Sequence, residues 1–289
     1  MFPGASPVDE SADAPFADAD YVAVGAPLDT STSFRPGARF GPDRIRKFAR
    51  TFEDFHPTTG THFSELHVAD HGDVHAWHDT AAYLDYLEGV LTDVHWADAV
   101  PVLLGGEHTV SVAGVRAADP DVFVALDAHL DLREELDGDP LSHSTVTRHA
   151  LDVADEAVVV GARSGNETEW ERATEGDLTV VTPEDAARMY SAEPSVADAP
   201  EDAADWMPDV DGSVYLSVDI DAADPAYAPG TGTPEPFGLD SATMRDLVRE
   251  LAPQSVGFDV VEVNDRDDGQ AATLAAKLVR EFVHAHADA

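Results

Sequence analysis

Short apolar runs separated by longer amphipathic stretches leave this chain few folds to adopt. The runs span residues 21–25, 100–104, 122–126, 157–160, 178–181, 214–218 and 256–261. Most are continuously apolar rather than alternating, the pattern of strands covered on both faces. Between them lie segments with helical spacing, at 41–50, 79–96, 109–118, 142–153, 183–190, 240–251 and 270–285. Pro42 falls in a first turn, where proline is tolerated, and Asp79 or Thr80 can cap the second segment. Strand and helix in repeated alternation predict an α/β fold: a parallel sheet with helices on both sides.

Composition limits what such a fold can carry. The chain has 289 residues, 43% of them hydrophobic, enough to bury a large core. It is read as a single domain over 1–289, because its chemical motifs come from strands spread along most of its length. No internal repeat is present. Residues 1–20, acidic and proline-containing, are expected to be mobile. Residues 192–211, rich in Ala, Asp, Glu and Pro, read as an acidic loop or insertion. There is no cysteine, which excludes disulfides, a thiolate nucleophile and Cys-ligated metals.

Acids number 57 against 17 Lys plus Arg, a formal charge of −40. Such a surface repels phosphate backbones and anionic membranes, so neither nucleic acid nor membrane is an expected partner. The acids are spread throughout and the only lysines are Lys47 and Lys277, the composition of a halophile's solvating surface. No apolar run is long enough to cross a bilayer, and the first residues lack the basic and apolar regions of an export signal. A cytoplasmic location is the resulting expectation.

In open parallel sheets, ligands bind at the carboxyl ends of the strands. The run 100–104 is followed by Gly105, Gly106, Glu107 and His108. The run 122–126 leads into Asp127, Ala128, His129, Leu130 and Asp131, and the run 214–218 into Asp219, Ile220 and Asp221. The last run ends at Glu262. Residues i, i+2 and i+4 share one face of a strand, so Asp127, His129 and Asp131 can point one way, as can Asp219 and Asp221. Carboxylates this close are costly to bury unless a cation neutralises them. His108, Asp127, His129, Asp131, Asp219 and Asp221 suffice for two divalent ions. Oxygen-rich ligation with some imidazole suits manganese better than zinc, without excluding other ions. Two ions about 3.5–4 Å apart can hold a bridging hydroxide at neutral pH. Glu262 is assigned outside the ligand set, to a cationic substrate group. Gly105 and Gly106 do not form a phosphate loop, since no Lys-Ser/Thr follows. His67, His71 and His75 read as surface or structural histidines.

These motifs, together with Phe258 to Asn264 and the 34–44 loop, resemble the signatures of the ureohydrolase family, which contains arginase, agmatinase and their relatives. The resemblance spans nearly the whole chain and is closest to archaeal-type agmatinase. It implies a three-layer α/β/α sandwich with a mostly parallel eight-stranded sheet and two Mn²⁺ per chain. One ion would take His108, Asp131, Asp127 and Asp219. The other would take His129, Asp127, Asp219 and Asp221, with Asp127 and Asp219 bridging and Asp219 also holding the hydroxide. His143 sits where the family has a proton-shuttling histidine, although Ser144 follows it where glycine is common. Glu262 would grip the guanidinium, and a homotrimer or homohexamer is implied.

The substrate reading turns on Arg133, two residues beyond Asp131. Aimed into the pocket, it would repel an amine and welcome a carboxylate. Aimed away, it would pair with a neighbouring acid such as Glu134 or Glu135. The preferred substrate is agmatine, cleaved to putrescine and urea as in polyamine biosynthesis. Aminopropylagmatine, a guanidino acid, formimidoylglutamate and arginine are the alternatives, and a non-catalytic metal-binding relative comes last.

Overall fold

The structure, a computed structural model, describes residues 2–9, 11–190 and 212–289. In chain order the strands are β1 (Ser6–Pro7), β2 (Tyr21–Ala26), β3 (Phe55–His56), β4 (Thr61–His62), β5 (Val68–Asp73), β6 (Val100–Gly105), β7 (Val122–Leu126), β8 (Glu156–Val160), β9 (Leu178–Val181), β10 (Val214–Asp219) and β11 (Ser255–Val261). The helices are α1 (Gly41–Ala49), α2 (Thr80–Trp96), α3 (Ser111–Ala118), α4 (Val146–Ala150), α5 (Glu167–Arg172), α6 (Pro183–Tyr190), α7 (Ser241–Leu251) and α8 (Gln270–Ala287). Nine strands form one sheet in the order β1-β5-β2-β6-β11-β10-β7-β8-β9. Every pairing in it is parallel. β3 and β4 make a separate antiparallel hairpin.

Successive residues of the central strands serve opposite cores. On β7, Val124 and Leu126 pack with Ile45 of α1, Leu247 of α7 and Phe282 of α8. Phe123 and Ala125 pack with Leu84 and Leu91 of α2 and Val112 of α3. This is the expected three-layer arrangement, and it explains why the strands are apolar on both faces. Burying each such side chain contributes about 1.5–3 kcal/mol. At the start of α2, the Asp79 carboxylate accepts the Ala82 N–H at 3.1 Å, so Asp79 is the cap and Thr80 the first helical residue.

The sheet has nine strands where eight were expected. β1, only two residues long, lies in the acidic N-terminal stretch, and Phe2 and Phe16 around it are buried. β5 is too polar to read as a buried strand. Its Asp70 takes a two-pronged contact from the buried Arg46 of α1, at 2.9 and 3.0 Å, and Asp73 pairs with the same guanidinium. The segment 192–211 lies outside the described residues. Among the described residues no helix is long and apolar enough to cross a membrane.

The strand order positions the site. β6, β11, β10 and β7 are consecutive neighbours at the centre of the sheet. The four sequence motifs therefore leave the sheet side by side at its carboxyl edge.

Candidate active site

His108, Asp127 and Asp131 converge, with His108 Nδ1 3.1 Å from Asp127 Oδ2 and 3.0 Å from Asp131 Oδ2. His129 Nδ1 lies 3.5 Å from Asp127 Oδ1 and 3.2 Å from Asp221 Oδ2. Two three-residue clusters result, His108/Asp127/Asp131 and Asp127/His129/Asp221, and Asp127 belongs to both. Asp219 Oδ2 stands 3.6 Å from His108 Nδ1, beside the first cluster, while its Oδ1 accepts the Asp221 N–H at 2.9 Å. Asp131 and Glu262 have φ of 51° and 60°. Left-handed backbone at non-glycine residues is held against a steric cost and clusters at functional sites.

The chemistry of the donors fits divalent cations. His108 Nδ1 and Asp127 Oδ2 are buried and have no hydrogen-bond partner, although each faces the other cluster members. An unmet buried acceptor costs about 1–3 kcal/mol unless something binds there. Burial first, and then the charges of Asp221 and Asp127, push the Asp219 carboxyl well above its usual range. Burial and the Asp127 charge likewise push Asp131 up. So many buried acids cannot all ionise without a cation between them.

A second layer orients these groups. Ser217 donates to Asp259 Oδ1 at 2.6 Å and so accepts from His108 Nε2 at 3.0 Å. The His108 proton is thereby placed on Nε2 and the bare Nδ1 faces the cluster. Thr233 donates to Asp221 Oδ2 at 2.9 Å. The sequence reading missed Ser217, Asp259 and Thr233. The one available signal was Asp259, an acid inside an otherwise apolar strand.

Glu262 is buried beside the clusters. Its Oε1 accepts the His108 backbone N–H at 2.9 Å, leaving Oε2 as the open oxygen. A cavity of about 320 Å³ opens over the site, lined among others by His129, Asp131, Arg133, His143, Asn166 and Glu169. His143 is held by Ser31 and Ser33, and burial pushes its imidazole down to about 4. It is therefore neutral at pH 7. Arg133 combines features of its two expected courses, facing the cavity yet paired with an acid. It lines the cavity, and its Nε reaches Glu169 Oε2 at 3.4 Å rather than Glu134 or Glu135. Glu169 was not foreseen, because it sits in the polar helix α5, which carries no apolar period. His67 pairs with Asp20 at 2.9 Å and, like His71 and His75, joins neither cluster.

Fold and site together define a three-layer α/β protein with a candidate paired-metal centre at the carboxyl edge of a parallel sheet. A sequence profile of the arginase family matches residues 19–285. The chain is 35% identical over 281 residues to an agmatinase of Bacillus cereus, covering 93% of this chain and 92% of that one. It is 35% identical over 267 residues to the N(1)-aminopropylagmatine ureohydrolase of Thermococcus kodakarensis, covering 90% and 88%. The solved agmatine ureohydrolase of Thermoplasma volcanium superposes with a TM-score of 0.84 at 34% identity, covering 97% and 94%. The chain belongs to the arginase family, and it is an enzyme of the ureohydrolase type.

Proposed function

We propose that the chain hydrolyses agmatine to putrescine and urea, as a single-domain enzyme with two Mn²⁺ per chain. The observation that carries this reading is the pair of Asp/His clusters sharing Asp127, beside a cavity lined by His129, Asp131 and His143, with Glu262 buried against the His108 backbone. One ion would be held by His108, Asp127, Asp131 and Asp219, the other by Asp127, His129, Asp219 and Asp221. Bound there, divalent ions supply the Lewis acidity that lowers the pKa of water to near neutrality.

The remaining work falls to side chains. Glu262 pairs with the guanidinium through its open Oε2, turning the guanidinium carbon toward the clusters. Attack of water on that carbon gives a tetrahedral intermediate. Its collapse breaks the C–N bond to the diamine, and His143 delivers the proton the departing nitrogen needs.

Agmatine is preferred because the one cation in the described cavity lining that could grip a carboxylate, Arg133, already faces Glu169. The similarity to agmatinases supports the same choice. Aminopropylagmatine is the second reading, favoured by the Thermococcus relative. A salt-adapted, cytoplasmic homotrimer or homohexamer completes the proposal; the formal charge of −40 supports its salt adaptation. Urea release measured in molar salt with manganese tests the substrate, using agmatine, aminopropylagmatine, arginine, guanidinobutyrate and formimidoylglutamate. Agmatine should give the highest kcat/KM, and a clear preference for an acid-tailed substrate would refute the reading.

A further inference from the structure

Glu107 belongs to neither Asp/His cluster, yet it is fully buried and converges five donors. The backbone N–H groups of Thr30 and Ser31 donate to its Oε2 at 2.7 and 2.8 Å. The hydroxyls of Ser31, Thr109 and Thr30 reach its Oε1 at 2.9, 2.9 and 3.3 Å. Five donors aimed at one carboxyl group match its ionised, acceptor-only form. The single hydroxyl proton of Ser31 is therefore committed to Glu107.

Ser31 Oγ keeps two acceptor sites. One takes the His143 backbone N–H at 3.0 Å. The other faces His143 Nδ1 at 3.1 Å. With its own proton spent on Glu107, Ser31 can only accept there, so Nδ1 must carry the imidazole proton. Nε2 is left with its lone pair, 3.3 Å from Ser33 Oγ, on the cavity wall that His143 and Ser33 both line. Asp259, Ser217 and His108 repeat the device with the ring nitrogens exchanged. There the serine fixes the proton on Nε2 and bares Nδ1.

We propose that Glu107 and Ser31 are positioning residues that lock His143 in the Nδ1–H tautomer and present a bare Nε2 to the cavity. The lock rests on geometry alone; what the bare nitrogen does rests on the hydrolase reading above. In that reaction, Nε2 accepts a proton from the attacking water. The resulting imidazolium returns that proton to the departing nitrogen as the C–N electron pair moves onto it, so His143 ends as it began.

The test is a long-range ¹H–¹⁵N spectrum of ¹⁵N-histidine-labelled full chain, in molar salt and excess Mg²⁺ as the diamagnetic ion. The His143 signals are identified by their loss in His143→Gln. Wild type should show a protonated Nδ1 and a bare Nε2. In Glu107→Gln, the amide oxygen must face the Thr30 and Ser31 N–H groups, which turns the NH₂ toward Ser31 Oγ. The Ser31 proton then swings onto His143 Nδ1 and the tautomer should invert. In the manganese enzyme, Glu107→Gln and Ser31→Ala should each lower kcat about 10–100-fold, less than full loss of base catalysis at about 10²–10⁴. KM and metal content should hold, and Ser31→Thr, which keeps the hydroxyl, should restore kcat. If Glu107→Gln does not fold, Ser31→Ala carries the test. An Nε2–H tautomer in wild type, or variants with unchanged spectrum and kcat, would overturn the lock. Correct spectra with no urea from any guanidine would sink the hydrolase reading and leave the lock standing.

Discussion

His143 lines the cavity and Glu262 is buried against His108, and the proposed mechanism asks different things of them. In the proposed mechanism Glu262 grips a cation through one open oxygen, so Glu262→Gln should raise KM and lower kcat together. There His143 is assigned the proton transfer, so His143→Ala should lower kcat by about 10²–10⁴ with metal content unchanged. Steady-state kinetics beside elemental analysis separates the two, and a near-normal kcat in His143→Ala removes it from the mechanism. Arg133 is 39% exposed and its partner Glu169 only 5%. A half-exposed pair of this kind contributes about 0–1 kcal/mol. Arg133→Ala should therefore barely change agmatine turnover. A tenfold or larger loss confined to guanidinobutyrate, in an enzyme that prefers that acid, would mean Arg133 is a carboxylate clamp and the agmatine assignment is mistaken.

Among the elements, legibility followed burial. β6, β7, β10 and β11 are apolar on both faces because a core lies on each side, and their periodicity announced both the sheet and its charged ends. β5 could not be read the same way, because its acids are neutralised by Arg46 from a helix far off in sequence. The Asp127-to-Asp131 motif was visible because neighbours in sequence are neighbours at the site. Glu107, Ser31 and Glu169 were hidden, because their partners are brought in by loops and a spacing pattern carries no trace of them. The packing of α8 on the β3–β4 hairpin has a measurable consequence. There His284 is buried, stacks on His56 at 4.4 Å between ring centres and bonds Thr61 at 2.9 Å. Burial, then His56 and Arg280, push it down to about 4. Its folded pKa is lowered, so between about pH 6.5 and 4 the unfolded chain binds a proton that the folded one does not. Its contribution is complete above the unfolded pKa, lost as pH falls through that window and flat below it. Denaturation at fixed molar salt should show His284→Gln losing less stability than wild type from pH 7 to 4; parallel curves would contradict this.

For the whole molecule, charge sets the conditions of folding. A formal charge of −40 repels itself unless ions screen it, and molar salt shortens the screening length to about 3 Å. Lowering salt from molar to millimolar should lower the unfolding midpoint, and manganese should partly restore it by binding only the folded state. A midpoint indifferent to salt would overturn the salt-adapted reading. The fold, the paired clusters and the cavity meet in one claim, that metal held around Asp127 enables guanidine hydrolysis. The direct measurement is agmatine turnover against manganese bound per chain, in wild type and Asp127→Asn. Wild-type activity should rise to its plateau only as the second ion binds, releasing putrescine and urea in equal amounts, and Asp127→Asn should bind neither ion tightly and stay inactive. Full turnover in metal-free enzyme, or an active Asp127→Asn variant, would contradict the account.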